Sequence, residues 1–203
     1  MLVDSSVRVE FLAELDHALD RFQAESPPLL PLVHARHADR IARLLARSGG
    51  RIVRGGHVEG RSAELTVVVA PALNSALMSE EIFGPILPVL SVDSLDAAIA
   101  HVRRGPKPLA VYLFSDKCTE QRRVLDRISN GGTVINHLMF QVLVTALPFG
   151  GVGNSGMGTY HGKWGFETFS HRKSVVRKPS WPDPDMLYPP YTAAKEWLLR
   201  RVF

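Results

Sequence analysis

Apolar residues near the start of the chain recur at helical spacing. Val7, Phe11, Leu15, Leu19 and Phe22 lie along one stripe and predict an amphipathic helix. Asp4, Ser5 and Ser6 offer N-cap side chains before it, and Ser26-Pro27-Pro28 is expected to stop it. A second helix is predicted over residues 37–47, with Ile41, Leu44 and Leu45 on one face and Ser48-Gly49-Gly50 at its end. The pattern then turns to short β-branched runs over residues 51–54 and 65–69. Residues 71–83 read as irregular, with a short helical turn at 79–82. Gly84-Pro85 closes that stretch, and a strand resumes over residues 86–92.

Ser94 caps a predicted helix carrying Leu95, Ala98, Ile99 and Val102. Residues 109–114 form a strong strand signal. Asp116 opens a further helix with Val124, Leu125 and Ile128 as its apolar set, Gly131-Gly132 ends it, and residues 133–135 read as a strand. Strands and helices alternating through short connections predict parallel strands joined by helical crossovers. The expected fold is therefore α/β with a mostly parallel sheet covered on both faces, which suits the continuous apolar run Leu109-Ala110-Val111-Tyr112-Leu113-Phe114. From Pro148 the composition changes to glycine-rich and aperiodic. Residues 173–176 look like a final strand, residues 179–190 are proline-rich, and residues 193–203 read as a short terminal helix.

Composition narrows the classes. The chain has 203 residues, 45% hydrophobic and 22% charged, as in an ordinary globular protein able to bury a core. The net charge of +4 is spread out, with small clusters at Arg122-Arg123, residues 171–178 and Arg200-Arg201. No aromatic residues interleave them, so they read as solvated surface and no nucleic-acid partner is expected. The one cysteine, Cys118, can form neither an internal disulfide nor a thiolate cage, which points to a reducing, cytoplasmic setting. No apolar run reaches the ~20 residues of a membrane span, and the first residues do not have the pattern of a signal peptide.

Candidate chemistry is sparse. Gly151, Gly153 and Gly156 spell a literal G-x-G-x-x-G. A dinucleotide loop needs a strand before it and a helix straight after it. More glycines follow here instead, so the segment is expected to be a compact irregular loop able to form one wall of an active site. Glu80-Glu81-Ile82-Phe83-Gly84-Pro85 sets two carboxylates and an aromatic ring beside a rigid turn. A carboxylate accepts sugar hydroxyls, and a phenyl ring packs on a flat heterocycle. By itself Glu80 reads as a solvated residue of a helical turn. Cys118 falls at a helix start, among charged neighbours on an outer crossover helix, and does not read as a nucleophile. His34 and His37 lack an acidic or thiolate partner nearby, so no metal site is expected.

Taken together, EEIFGPILP at residues 80–88, KPLAVYLFS at 107–115 and PFGGVGNSGMGTYHGKWGFETFSHRKSVV at 148–176 resemble the aldehyde dehydrogenase superfamily, in particular its class 3 branch of fatty and aromatic aldehyde dehydrogenases. The resemblance runs from Leu2 to about Val176 and corresponds to the C-terminal half of such an enzyme. It implies a partial catalytic domain over residues 1–168, an oligomerisation strand over 169–178 and a tail over 179–203. It implies that Glu81 hydrogen-bonds the nicotinamide ribose and that Phe83 lies beside the nicotinamide. Asn136 would brace the active-site backbone, while Met139, Val142, Leu143, Phe149 and His161 would line the aldehyde tunnel. NAD or NADP would be the cofactor, an aldehyde the substrate and a homodimer the assembly.

The family's nucleophile lies in a Gly-Gln-x-Cys motif and its general base in Glu-Leu-Gly-Gly. Neither occurs in this sequence. The chain is therefore expected to contain no catalytic residue and to be inactive alone, with Met1 an artificial or misassigned start inside a longer reading frame. Two other readings stand beside this one: a non-catalytic interaction module derived from the fold, pairing with a full-length homologue through its C-terminal strand, and a small nucleotide-binding domain using residues 151–158.

Overall fold

The computed structural model describes residues 1–26 and 29–202. Pro27 and Pro28, expected to stop the first helix, lie outside the described residues, as does Phe203 at the end of the terminal helix.

A four-stranded sheet carries the first half. Its order is β1 (Leu2–Asp4), β6 (Ile86–Val92), β5 (Thr66–Val69) and β2 (Arg51–Arg54). β6 is parallel to both β1 and β5, while β2 is antiparallel to β5. All four residues of β5, Thr-Val-Val-Val, are buried, because alternate side chains serve opposite faces. Val67 joins Val3 and Val89 beneath α1 (Arg8–Glu25), against Phe11, Leu12, Leu15 and Leu19. Val68 points the other way and packs with Ile41, Leu44 and Leu45 of α2 (Ala35–Ala46), and with Leu77 of α3 (Ala76–Ser79). A small hairpin, β3 (Val58–Glu59) and β4 (Ser62–Ala63), adds Ala63 to that core.

The second unit is the parallel pair β7 (Ala110–Leu113) and β8 (Gly132–Ile135). Ile99 of α4 (Leu95–Arg104) meets Val124 of α5 (Cys118–Arg127) and Ile128 over one face of this pair, with Val111 and Leu113 packed against them. By the period-2 rule Tyr112 then belongs to the other face, where its hydroxyl contacts Met139 and Gln141. Ser94 caps α4 as expected, accepting the Ala97 amide at 3.2 Å.

Several expectations need correction. β6 and β7 were expected as neighbours in one run of parallel strands, yet they lie in different sheets. β6 fills both its edges with β1 and β5, and β1 is too short for its pattern to register in the sequence. The helical turn expected at 79–82 sits at Ala76–Ser79 instead, since the backbone turns extended at Glu80. Asp4 does not cap α1: it accepts the Ser6 amide and hydroxyl in a local turn, and the capping position is Val7. The strand expected over 173–176 does not form, as residues 171–179 pair with no strand among the described residues. An extended segment becomes a strand only when a neighbour supplies the ladder. Beyond it lie a short 3₁₀ turn at Asp185–Leu187 and α8 (Ala193–Val202). No helix among the described residues is long and apolar enough to cross a membrane.

Candidate active site

The segment from Glu80 to Pro85 leaves α3 and crosses the N-terminal end of α2. Gly84 packs so closely on that helix that an added Cβ would meet Ile41 Cδ1 at 2.5 Å. Two side chains of α2 hold the loop by its backbone. Arg40 donates to the carbonyls of Glu81, at 3.0 Å, and of Ile82. His37 Nε2 lies 2.6 Å from the Phe83 carbonyl. Arg40 also lies 3.8 Å from the Glu80 carboxylate. The Glu81 carboxylate makes no hydrogen bond or ion pair among the described residues. Phe83 has φ +44° and its side chain is largely exposed. Glu81 and Phe83 are thus held by their main chains, with their side chains free for a ligand.

The remaining site residues lie along the β7–β8 pair: Asn136 stands beyond its C-terminal ends, whereas Gly150, next to Phe149, packs at its N-terminal ends. Asn136 follows β8 directly. Its backbone amide donates to Leu113 O at 2.8 Å, its Oδ1 accepts the Ser115 amide at 2.8 Å, and its Nδ2 donates to Asp116 Oδ1 at 3.1 Å. Asp116 is therefore occupied here, and the position capping α5 is Lys117. Next comes α6 (Phe140–Leu143), a single turn the sequence reading missed. Met139 precedes it with φ +64°, Val142 bonds back to the Met139 carbonyl, and Leu143 is exposed. The Tyr112 hydroxyl donates to Met139 Sδ at 3.3 Å and accepts from the buried Gln141 Nε2 at 2.9 Å. Neither Tyr112 nor Gln141 was expected at the site. Tyr112 has a signal in hindsight, as the one hydroxyl in an apolar strand.

The glycine-rich segment is an irregular loop, as its composition predicts, with no α-helix straight after Gly156. Gly153–Ser155 forms one 3₁₀ turn, and Ser155 closes it by accepting the Val152 amide at 3.0 Å. A Cβ on Gly131 would run into the Gly150 carbonyl and come within 2.6 Å of Leu109 O, so the loop lies directly on the β7–β8 pair. Phe149 forms an isolated antiparallel bridge with Tyr160, and their rings meet edge to face at 5.4 Å. His161, with φ +89°, packs on Tyr160 at 4.4 Å and places Nδ1 3.2 Å from Leu147 O. It precedes α7 (Gly162–Thr168), also missed because its glycines hide it. No hydrogen bond or ring contact joins the Glu81–Phe83 loop to the Asn136–His161 group among the described residues.

Left-handed backbone is confined to few positions. The non-glycine residues with positive φ among the described residues are Ala70, Phe83, Asn136, Met139 and His161. The last four are all candidate site residues. Such conformations cost about 1–2 kcal/mol each and cluster where function holds the chain in place.

The sequence profile of the Aldehyde dehydrogenase family matches residues 1–175. The chain belongs to the aldehyde dehydrogenase family. It is 41% identical to the 4,4'-diaponeurosporen-aldehyde dehydrogenase of Staphylococcus aureus over 197 residues, covering 94% of this chain and 43% of that protein. It is 38% identical to aldehyde dehydrogenase family 3 member H1 of Arabidopsis thaliana, covering 92% of this chain and 40% of the relative. Among solved structures, the substrate-bound state of S. aureus AldH superposes with a TM-score of 0.84 at 39% identity, over 100% of this chain and 45% of that one. The NAD+ complex of a Mycobacterium tuberculosis aldehyde dehydrogenase superposes with a TM-score of 0.76 at 26% identity, over 90% of this chain and 40% of that one. The chain thus spans less than half the length of these relatives. Their family 3 members agree with the class 3 branch indicated by the motifs.

Proposed function

We propose that this chain forms the nicotinamide-ribose and aldehyde-facing part of an NAD(P)-dependent enzyme that oxidises aldehydes to carboxylic acids. The observation that carries the reading is the coincidence of left-handed backbone with Phe83, Asn136, Met139 and His161. Glu81 presents a free carboxylate to ribose hydroxyls, and Phe83 presents a ring face to the nicotinamide. NAD(P)+, when bound, accepts a hydride from the substrate carbon. Met139, Val142, Leu143, Phe149 and His161 line the aldehyde path, where their apolar surfaces exclude water and hold an apolar tail. Asn136 braces the backbone at the ends of β7 and β8. Residues 171–179, which pair with no strand among the described residues and leave Val175 and Val176 exposed, support a homodimer in which they pair with another chain.

On this reading the chain does not turn over by itself. Its one cysteine, Cys118, is exposed at the start of α5, with no base bonded to it, whereas thiolate attack needs an activated sulfur. The test is NADH release from purified 1–203 with NAD+ and a medium-chain aldehyde. No absorbance rise above background is expected, and aldehyde-dependent turnover, with Cys118 present or replaced in Cys118→Ala, would overturn the reading. A chimera in which residues 1–203 replace the matching C-terminal part of the S. aureus relative should release NADH.

A further inference from the structure

His37, weighed in the sequence only as a metal ligand, and Arg40 together bond three successive carbonyls, those of Glu81, Ile82 and Phe83. A run of carbonyls facing one way is unusual outside a helix end, and it turns the side chains of Glu81 and Phe83 outward. The loop has few other anchors. Glu80 and Glu81 are exposed, Phe83 sits at φ +44°, and only Ile82 and Gly84 pack inward on the α2 core. Arg40 is suited to the task because its planar fork reaches two acceptors at once. His37 completes the set: Nδ1 lies 3.5 Å from Arg40 Nη2 and Nε2 2.6 Å from Phe83 O. That pair of bonds assigns the hydrogen to Nε2, so Arg40 orients the ring that holds Phe83. Both residues project from the first turns of α2, one helical turn from the buried Ile41 and Leu44 on the same side of the helix. The clamp therefore stands on rigid core.

We infer that His37 and Arg40 are positioning residues for the cofactor loop: they hold the side chains of Glu81 and of the left-handed Phe83 outward, where the nicotinamide ribose is received. This rests on the proposed cofactor role of Glu81 and Phe83. Neither His37 nor Arg40 touches the cofactor in this account; they act through the loop backbone.

The experiment has two readouts. Hydrogen–deuterium exchange is followed on purified 1–203 for the peptide spanning residues 79–86, with β5 as internal reference. Arg40→Ala is expected to speed exchange of that peptide about tenfold or more, the equivalent of one lost charge-assisted bond, with β5 unchanged. His37→Ala should do so more weakly, and His37→Gln, whose amide can donate to Phe83 O, should restore protection. In the chimera, Arg40→Ala should raise the KM for NAD+ by about tenfold and leave the aldehyde KM unchanged. Glu81→Gln serves as the control for the cofactor reading. Unchanged loop exchange in Arg40→Ala overturns the clamp whatever happens to the kinetics. Faster exchange with an unchanged KM for NAD+ also overturns it if Glu81→Gln does raise that KM. If neither variant moves it, the cofactor role of the loop itself fails. Equal acceleration in β5 would mark Arg40 as a general stability residue and contradict the inference.

Discussion

The Asn136 side chain accepts the backbone N–H of Ser115 at 2.8 Å and so ties the segment after β8 to the segment after β7. Asn136 also donates to Asp116 and holds φ +57°. Asn136→Ala loses both bonds and places a Cβ-bearing residue without a local partner in the left-handed region. A destabilisation of about 1–3 kcal/mol is expected, read from urea unfolding. Asn136→Gly should cost less than Asn136→Ala, because glycine takes that φ without strain. An alanine variant as stable as the parent would remove Asn136 from its bracing role.

The contact between the glycine loop and the β7–β8 pair is equally exposed to test. A Cβ on Gly131 has no room between Gly150 O and Leu109 O, and both obstacles are backbone. Gly131→Ala should therefore lower stability by about 3 kcal/mol or prevent folding. Gly60, at φ +57° with nothing within 4 Å, is the comparison: Gly60→Ala should cost about 1–2 kcal/mol. Thermal unfolding of the two variants side by side gives the answer, and a milder Gly131→Ala would mean the loop stands off the sheet.

Arg54 on β2 clamps α1 to the sheet. It donates to Asp16, to Asp20 at 2.7 Å and to Gln23 Oε1 at 2.7 Å. Its side chain is only 16% exposed, but the two aspartates are 55% and 65% exposed, so solvent screens much of the attraction. Arg54→Ala should cost about 1–2 kcal/mol, measurable by chemical denaturation, and 0.5 M salt should shrink the difference. A salt-independent loss would assign the effect to packing of the arginine stem instead.

Acid sensitivity follows from carboxylates held charged. The hydrogen bond from Arg123, with Arg127 beside it, holds Asp96 below its ordinary value of 3.8. The Ser115 hydroxyl and Lys117 likewise hold Glu120 below 4.5. A depressed folded-state pKa gives stability that is present above the unfolded value and lost as pH falls through the folded one. Tm should thus fall as pH drops below about 4.5. Asp96→Asn should flatten the part of that slope below about 3.8. A Tm that does not change from pH 5 down to 3 would show that these pairs contribute nothing to folding.

Much of this was legible from local pattern. The buried face of α2, the β-branched β5 and the Ser94 cap of α4 each rest on neighbours within a few residues. Partner-dependent features were not. β1 has three residues and exists through its pairing with β6. Residues 173–176 have strand character but no strand beside them in this chain. The site shows the same division. Glu81, Phe83, Asn136 and the residues expected to line the aldehyde tunnel were singled out through motif resemblance, whereas His37, Arg40, Tyr112 and Gln141 act through contacts far apart in sequence. The separation of β6 from β7 likewise depends on which edges are filled, and alternation of strand and helix does not encode that.

We propose that these 203 residues supply the ribose-binding and aldehyde-facing surfaces of an aldehyde dehydrogenase but not its nucleophile. NADH release by the S. aureus chimera, with and without Glu81→Gln, tests it most directly. Aldehyde-dependent NADH release is expected from the chimera, at a rate about tenfold or more lower with Glu81→Gln, and none from residues 1–203 alone. A folded chimera that releases no NADH, or one indifferent to Glu81→Gln, would contradict it.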